Sequence, residues 1–207
     1  MNSLISFEGI DGCGKSTQIK ILSDKLTLNN IDNIVIREPG DTEISNKIRN
    51  ILLDKNNKIG EKSETLLFLS ARAQLVEEKI IPFSNNNIVI CDRFIDSTVA
   101  YQGYGRNQDI NTINTLNNFA TGSMYPDITF ILEIDPKESF KRLNSNFLDR
   151  MELSGIDFLE KVSKGYKQIA SSNKNRCKVI DCNGKDIITI HNEIILILNL
   201  FYGRDIL

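Results

Sequence analysis

The chain is poor in the groups that many catalytic and metal sites require. It has one histidine, His191, near its C-terminal end, so neither a Ser-His-Asp triad nor a histidine metal site has support. Its four cysteines, Cys13, Cys91, Cys177 and Cys182, form no CxxC pair. That spacing argues against a zinc site and against a disulfide framework, and makes a reducing cytoplasm the expected setting. Long apolar runs are missing too: "IILILNLF" at 194–201 falls short of the roughly 18 residues a membrane span needs. The opening "MNSLISFEG" has no basic stretch and is interrupted by Glu8, so it reads as a first strand and not as a signal peptide. A formal net charge of −2 gives no electrostatic reason to expect nucleic acid or an anionic membrane as partner.

With 41% hydrophobic and 25% charged residues in 207, the composition suits one domain spanning 1–207. Five apolar runs, 3–8, 33–38, 87–92, 128–134 and 178–182, are nearly continuous in Ile, Val, Leu and Phe, as parallel strands covered on both faces should be. Helical patterns lie between and after them, near 15–29, 43–54, 61–81, 96–104, 110–121, 136–143, 155–171 and 185–202. The alternation predicts an α/β fold: a five-stranded parallel sheet flanked by helices. Pro39, Pro82, Pro126 and Pro136 all fall at the element boundaries this segmentation implies, and the apolar 185–202 stretch is expected to be buried beside the sheet.

Between the first strand and first helix, Gly9-Ile10-Asp11-Gly12-Cys13-Gly14-Lys15-Ser16, followed by Thr17, fits GxxxxGK[ST]. In that context the string is a P-loop: glycines let backbone N–H groups surround phosphate oxygens, Lys15 adds a point charge, and Ser16 offers a hydroxyl to Mg²⁺. A guanine-reading NKxD is absent, and outside the P-loop itself the one DxxG, Asp181 to Gly184, follows the last strand, which argues against a GTPase switch. The third strand ends in Asp92-Arg93. At the carboxyl end of a parallel strand these should open onto the P-loop's cleft, the aspartate to hold Mg²⁺ through water and the arginine to grip a second phosphate.

Taken in order, "FEGIDGCGKST", "REPGDT" (37–42), "LLFLSARAQLVEE" (66–78), "CDRFIDSTVAYQGYGR" (91–106) and "YPDITFILEID" (125–135) resemble bacterial thymidylate kinase, a nucleoside monophosphate kinase family. The resemblance implies transfer of the γ-phosphoryl group of ATP to dTMP, giving dTDP, with Mg²⁺ and in a homodimer. It places Phe68 against the thymine ring and Arg72 on a base carbonyl. Thr98 and Gln102 fall on the base edge, and Tyr101 where a ribose 2′-hydroxyl would sit, with Ser97 a weaker candidate. Asp11 falls near the 3′-hydroxyl, Arg93 and Arg49 on the acceptor phosphate, and Glu38 at the pocket wall. Since the P-loop carries no basic residue between Gly9 and Lys15, the remaining catalytic charge is expected from a lid at about 142–155, with Arg150 first and Arg142 in reserve. Asp41 stands where the family commonly has glycine, and Cys13 could be reactive at a helix N-terminus.

Overall fold

A computed structural model describes residues 3–84, 87–142, 149–203 and 205; the central lid expectation, 143–148, lies outside the described residues. The strands are β1 (Ser3–Glu8), β2 (Asn33–Arg37), β3 (Ile88–Asp92), β4 (Ile128–Glu133) and β5 (Cys177–Asp181). All pair in parallel, in the order β2-β3-β1-β4-β5. Each lies within one residue of its sequence-predicted bounds. Alternate residues feed different cores: Ile88 and Ile90 enter the larger cluster with Ile5 and Phe7, whereas Val89 and Cys91 enter a second one with Leu4 and Ile36. Both faces of β3 are therefore covered, which explains why its run is apolar without alternation.

The helices are α1 (Lys15–Leu28), α2 (Glu43–Leu53), α3 (Glu61–Leu75), α4 (Ile81–Ser84), α5 (Ile95–Thr98), α6 (Ile110–Thr121), α7 (Pro136–Arg142), α8 (Ile156–Ser172) and α9 (Ile187–Tyr202). Side chains cap the starts of α2, α6 and α9, where Thr42, Asp109 and Asp186 accept from the backbone N–H of Ser45, Thr112 and Thr189, and of α7, where Asp135 accepts from those of Lys137 and Glu138.

Two sequence expectations need correction. Pro82 is not at a boundary but inside a continuous helical path, since α3 runs through a π-helical stretch, Val76–Ile80, directly into α4. A proline lacks the N–H and crowds the carbonyl one turn back; the wider turn before it is where that bond is given up. Nor is 185–202 buried throughout. Ile190, Ile194 and Leu198 face the core, but Ile188, Leu196 and Leu200 are 71%, 61% and 73% exposed. The expectation counted apolar residues, whereas only one stripe of α9 meets α1 and β5.

Candidate active site

The central position of β1 brings the site together. Its register with β3 sets Phe7 beside Asp92, so the loop after β1 and the residues after β3 emerge side by side. Gly9 turns the chain at φ 139°, where a Cβ would stand 2.5 Å from the Leu132 carbonyl oxygen; only glycine fits. Lys15 Nζ donates to the carbonyls of Gly9 (3.0 Å) and Ile10 (3.1 Å), folding back across the loop. Ser16 Oγ donates to Asp92 Oδ2 at 3.0 Å. A hydroxyl and a carboxylate are thus paired at the mouth of the P-loop, an arrangement suited to a hard cation that keeps waters and phosphate oxygens as its other ligands. The cleft there is lined by Gly12, Gly14, Lys15, Ser16 and Thr17, together with Asp92 and Arg93. Ile10 and Cys13 contribute backbone only, because their side chains are buried in the core.

Arg93, at φ 73°, is the hub beside this cleft. Nη2 donates to Asp11 Oδ1 at 2.5 Å and to the Tyr101 hydroxyl at 3.1 Å. Nη1 donates to the Gly9 carbonyl, Ser97 Oγ and the Tyr166 hydroxyl. The guanidinium lies 5.0 Å from the Tyr101 ring centre, and Tyr101 in turn donates to Asp11 Oδ2. Burial alone would raise the Asp11 carboxyl, but Arg93 and then Lys15 outweigh it and hold it at about 2. Beneath them, Glu8 accepts from the Phe94 N–H, Ser97 Oγ and Tyr166; burial, with Asp96 nearby, pushes it up to about 7.

A second pocket shares Asp11, Glu38, Arg49, Arg93 and Asp149 with the P-loop cleft, so the two open into one another. Farther in, it is lined by Phe68, Arg72, Ser97, Thr98, Tyr101 and Gln102, all residues expected there. Arg49 Nη1 donates to the Pro39 carbonyl at 2.7 Å. Arg72 is 3% exposed and spends all five N–H groups within the protein: two bonds to Glu38 Oε2, and one each to Thr98 Oγ1, Asn117 Oδ1 and the Phe94 carbonyl. The expectation that it is free to reach a base carbonyl does not describe this conformation, because Glu38 and Asn117, on distant segments, claim its donors. Burial raises Glu38, with Arg72 opposing, and leaves its Oε1 without a hydrogen bond.

The two arginines expected on a lid, Arg142 and Arg150, are placed differently from one another. Arg142 Nη1 donates to the Gly12 carbonyl at 3.4 Å, beside the P-loop. Arg150 points elsewhere: it pairs with Glu64 Oε2 at 2.6 Å and donates through Nε to the Leu52 carbonyl, while its backbone N–H bonds Leu53. A buried carboxylate and the last two carbonyls of α2 draw it away from the P-loop cleft. Its neighbours Asp149 and Glu152 line that cleft instead.

Sequence reasoning missed Arg37, which ends β2 and lines the P-loop cleft, and missed Glu8, Glu64, Asn117 and Tyr166, which hold the named residues in place. Arg37 had a signal, being the last residue of a strand whose carboxyl end faces the cleft. Asp41, at φ 65°, accepts from the Arg37 N–H and closes the loop, a local use of its carboxylate that turns it from the pocket. Cys13 is 2% exposed, which shields it from reagents in solvent.

Comparison with known proteins agrees with this geometry. The family model described as thymidylate kinase matches residues 7–194. The chain is 45% identical over 192 residues to the thymidylate kinase of Thermoanaerobacter sp. (strain X514), covering 92% of this chain and 94% of that one. It is 46% identical over 203 residues to that of Chlorobium limicola (strain DSM 245 / NBRC 103803 / 6330), covering 93% and 92%. The crystal structure of thymidylate kinase from Ehrlichia chaffeensis superposes with a TM-score of 0.77 at 39% identity, covering 95% of this chain and 98% of that one. Five parallel strands, a P-loop opening into a second pocket, and a match along nearly the whole chain lead to one conclusion: this chain belongs to the thymidylate kinase family.

Proposed function

We propose that the chain transfers the γ-phosphoryl group of ATP to dTMP, yielding dTDP and ADP. The observation that carries this reading is the shared rim of the two pockets, where Asp11, Arg49 and Arg93 stand between the P-loop and the aromatic, hydrogen-bonding cavity around Phe68. A donor phosphate on the P-loop and an acceptor phosphate at Arg93 would face each other across that rim. No general base is needed, because the attacking phosphate oxygen is ionised at neutral pH; the task is to align two anions and neutralise the charge between them.

In this reading the backbone from Gly9 to Ser16, with Thr17, cradles the ATP phosphates, and Lys15 follows the moving phosphoryl group. Ser16 and Asp92 would hold Mg²⁺, which supplies charge neutralisation at the phosphate oxygens. Phe68 packs on the base, Thr98 and Gln102 meet its edge with Arg72 behind them, and Ser97 supports Arg93. Tyr101, tied to Asp11 and 7% exposed, walls off the sugar and disfavours a 2′-hydroxyl. Glu38 and Arg49 close the phosphate side. Residues 142–155 act as the lid of a single kinase domain; Arg142 is the arginine nearer the P-loop, and Arg150 reaches the donor only by leaving Glu64.

A homodimer and a cytoplasmic location belong to the same reading. Leu66 and Phe119, 57% and 87% exposed on α3 and α6, supply uncovered apolar surface for a partner copy. Four free cysteines suit a reducing compartment, and among the described residues no helix is long and apolar enough to cross a membrane. The deciding experiment offers purified protein, ATP and Mg²⁺ each of dTMP, dUMP, dGMP and the ribose analogue of dTMP, with products identified. Dominant dTDP is the expected result; ATP hydrolysis without a nucleoside diphosphate from any acceptor would overturn the assignment.

A further inference from the structure

Gln102 and Thr98 are each hydrogen-bonded from behind by a charged group, and in opposite senses. Gln102 Nε2 donates to Glu64 Oε1 at 3.0 Å. Glu64 is 1% exposed and also takes Arg106 Nε (3.2 Å) and Nη2 (3.3 Å) and Arg150 Nη1 (2.6 Å). A carboxylate ringed by these donors accepts only. The nitrogen of the Gln102 amide must therefore face Glu64, and its oxygen, which has no partner among the described residues, is left for the pocket. Thr98 shows the converse. Its Oγ1 accepts from Arg72 Nη1 at 2.7 Å, and a guanidinium donates only, so the hydroxyl hydrogen is what remains for the pocket.

We propose that Glu64 is a positioning residue that locks the Gln102 amide with its oxygen toward the acceptor, so that the pocket offers an acceptor beside the Thr98 donor and selects a base edge with an N–H next to a carbonyl. That edge is the imide of thymine or uracil. Cytosine presents a bare ring nitrogen where the pocket needs an N–H, which would leave the Gln102 oxygen facing a lone pair. This inference rests on the acceptor pocket proposed above and adds a residue with no place among the expected site residues. Burial opposes ionisation of Glu64, but its bonds from Arg106, Gln102 and Arg150 together hold its carboxyl below the ordinary range, in keeping with a group that stays charged at neutral pH.

The test is Glu64→Gln, assayed with ATP against dTMP and dCMP. The oxygen of the new amide would be held by Arg106 and Arg150, turning its NH₂ toward Gln102, which must then swing its own oxygen back and point its NH₂ into the pocket. The ratio of kcat/KM for dTMP over dCMP should fall by about tenfold or more, the scale set by inverting one buried hydrogen bond. A merely structural role would weaken both acceptors alike; an unchanged ratio in a folded variant therefore overturns the inference. Should the variant not fold, the unmodified protein still decides. N3-methyl-dTMP, which lacks the N–H, should bind at least about tenfold more weakly than dTMP in competition, and equal binding would overturn the lock. Failure of the unmodified protein to phosphorylate dTMP at all would instead overturn the functional reading, and this inference with it.

Discussion

Replacing Asp11 with asparagine keeps the shape of the side chain and removes its charge, so it isolates what the Asp11–Arg93 pair contributes. A carboxyl held at about 2 in place of its ordinary 3.8 corresponds to roughly 2 kcal/mol of native-state preference for the ionised form. The Asp11 side chain is 29% exposed and Arg93 16%, so solvent screens part of this, and about 1–2 kcal/mol is the expected loss for Asp11→Asn at pH 7. The pH dependence follows from the direction of the shift. Because the folded value is depressed, the contribution is present above the unfolded value of 3.8 and is lost as pH falls through about 2. Urea titrations of the two proteins should therefore differ most near neutrality, with about half the difference gone by pH 3. A gap in stability that stays constant from pH 7 to pH 3 would refute the claim that charge, and not packing, is what Asp11 supplies. Turnover should fall as well, by about tenfold or more, since Nη2 of Arg93 would lose its charged tether and the acceptor phosphate its fixed partner.

Three further outcomes can be checked directly. Gly9→Ala should abolish tight ATP binding and lower the melting temperature, because the added carbon would stand 2.5 Å from the Leu132 oxygen and 2.9 Å from Cys13 Sγ; normal ATP binding would show that the loop can shift without cost. Glu8 has a folded value raised from 4.5 to about 7, so its contribution is full below 4.5 and is lost as pH rises through 7; wild-type stability should decline across that range, and Glu8→Gln should flatten the decline, an unaltered slope counting against the assignment. Arg150→Ala should cut turnover far more than it weakens dTMP binding if Arg150 leaves Glu64 to reach the donor. Near-normal turnover, with the loss transferred to Arg142→Ala, would make Arg142 the donor-side arginine.

The central strands β1, β3 and β4 were legible because they are covered on both faces and so carry runs of apolar residues that need no context to read, as Ile88–Asp92 illustrates; the edge strands β2 and β5 carry similar runs but leave Val35 and Val179 exposed. The P-loop and Asp92-Arg93 were legible because parallel topology sends successive strand ends to one edge. What escaped the sequence is the layer behind the site. Glu8 and Tyr166 are 158 residues apart and Arg72 and Asn117 are 45 apart, so nothing local announces either pair. The placement of Arg150 was missed for the same reason: its partner Glu64 lies 86 residues away, in the first turn of α3, where an acidic residue reads as an ordinary helix start. The exposed stripe of α9 escaped because hydrophobic content does not say how many sides of a helix have neighbours.

The cations of the site fall into two kinds according to what holds them, and this separates the groups that stay from those that can move. Arg93 Nη2 is held by a carboxylate, and so is Arg72. Charge-assisted bonds in partly dry surroundings are the stronger ones, and an incoming anion gains little by competing for them. Lys15, Arg49 and Nη1 of Arg93 instead donate to neutral acceptors: the carbonyls of Gly9, Ile10 and Pro39 and the hydroxyls of Ser97 and Tyr166. Phosphate oxygens are better acceptors than any of these, so these donors would turn to substrate while the carboxylate-bound ones stay as the frame. Arg93 has both kinds on one planar group: Asp11 fixes its orientation through Nη2, and Nη1 is left to exchange its neutral partners for the acceptor phosphate. An arginine locked on one edge and exchangeable on the other can grip a phosphate with little reorganisation, which is the property an aligned phosphoryl transfer requires.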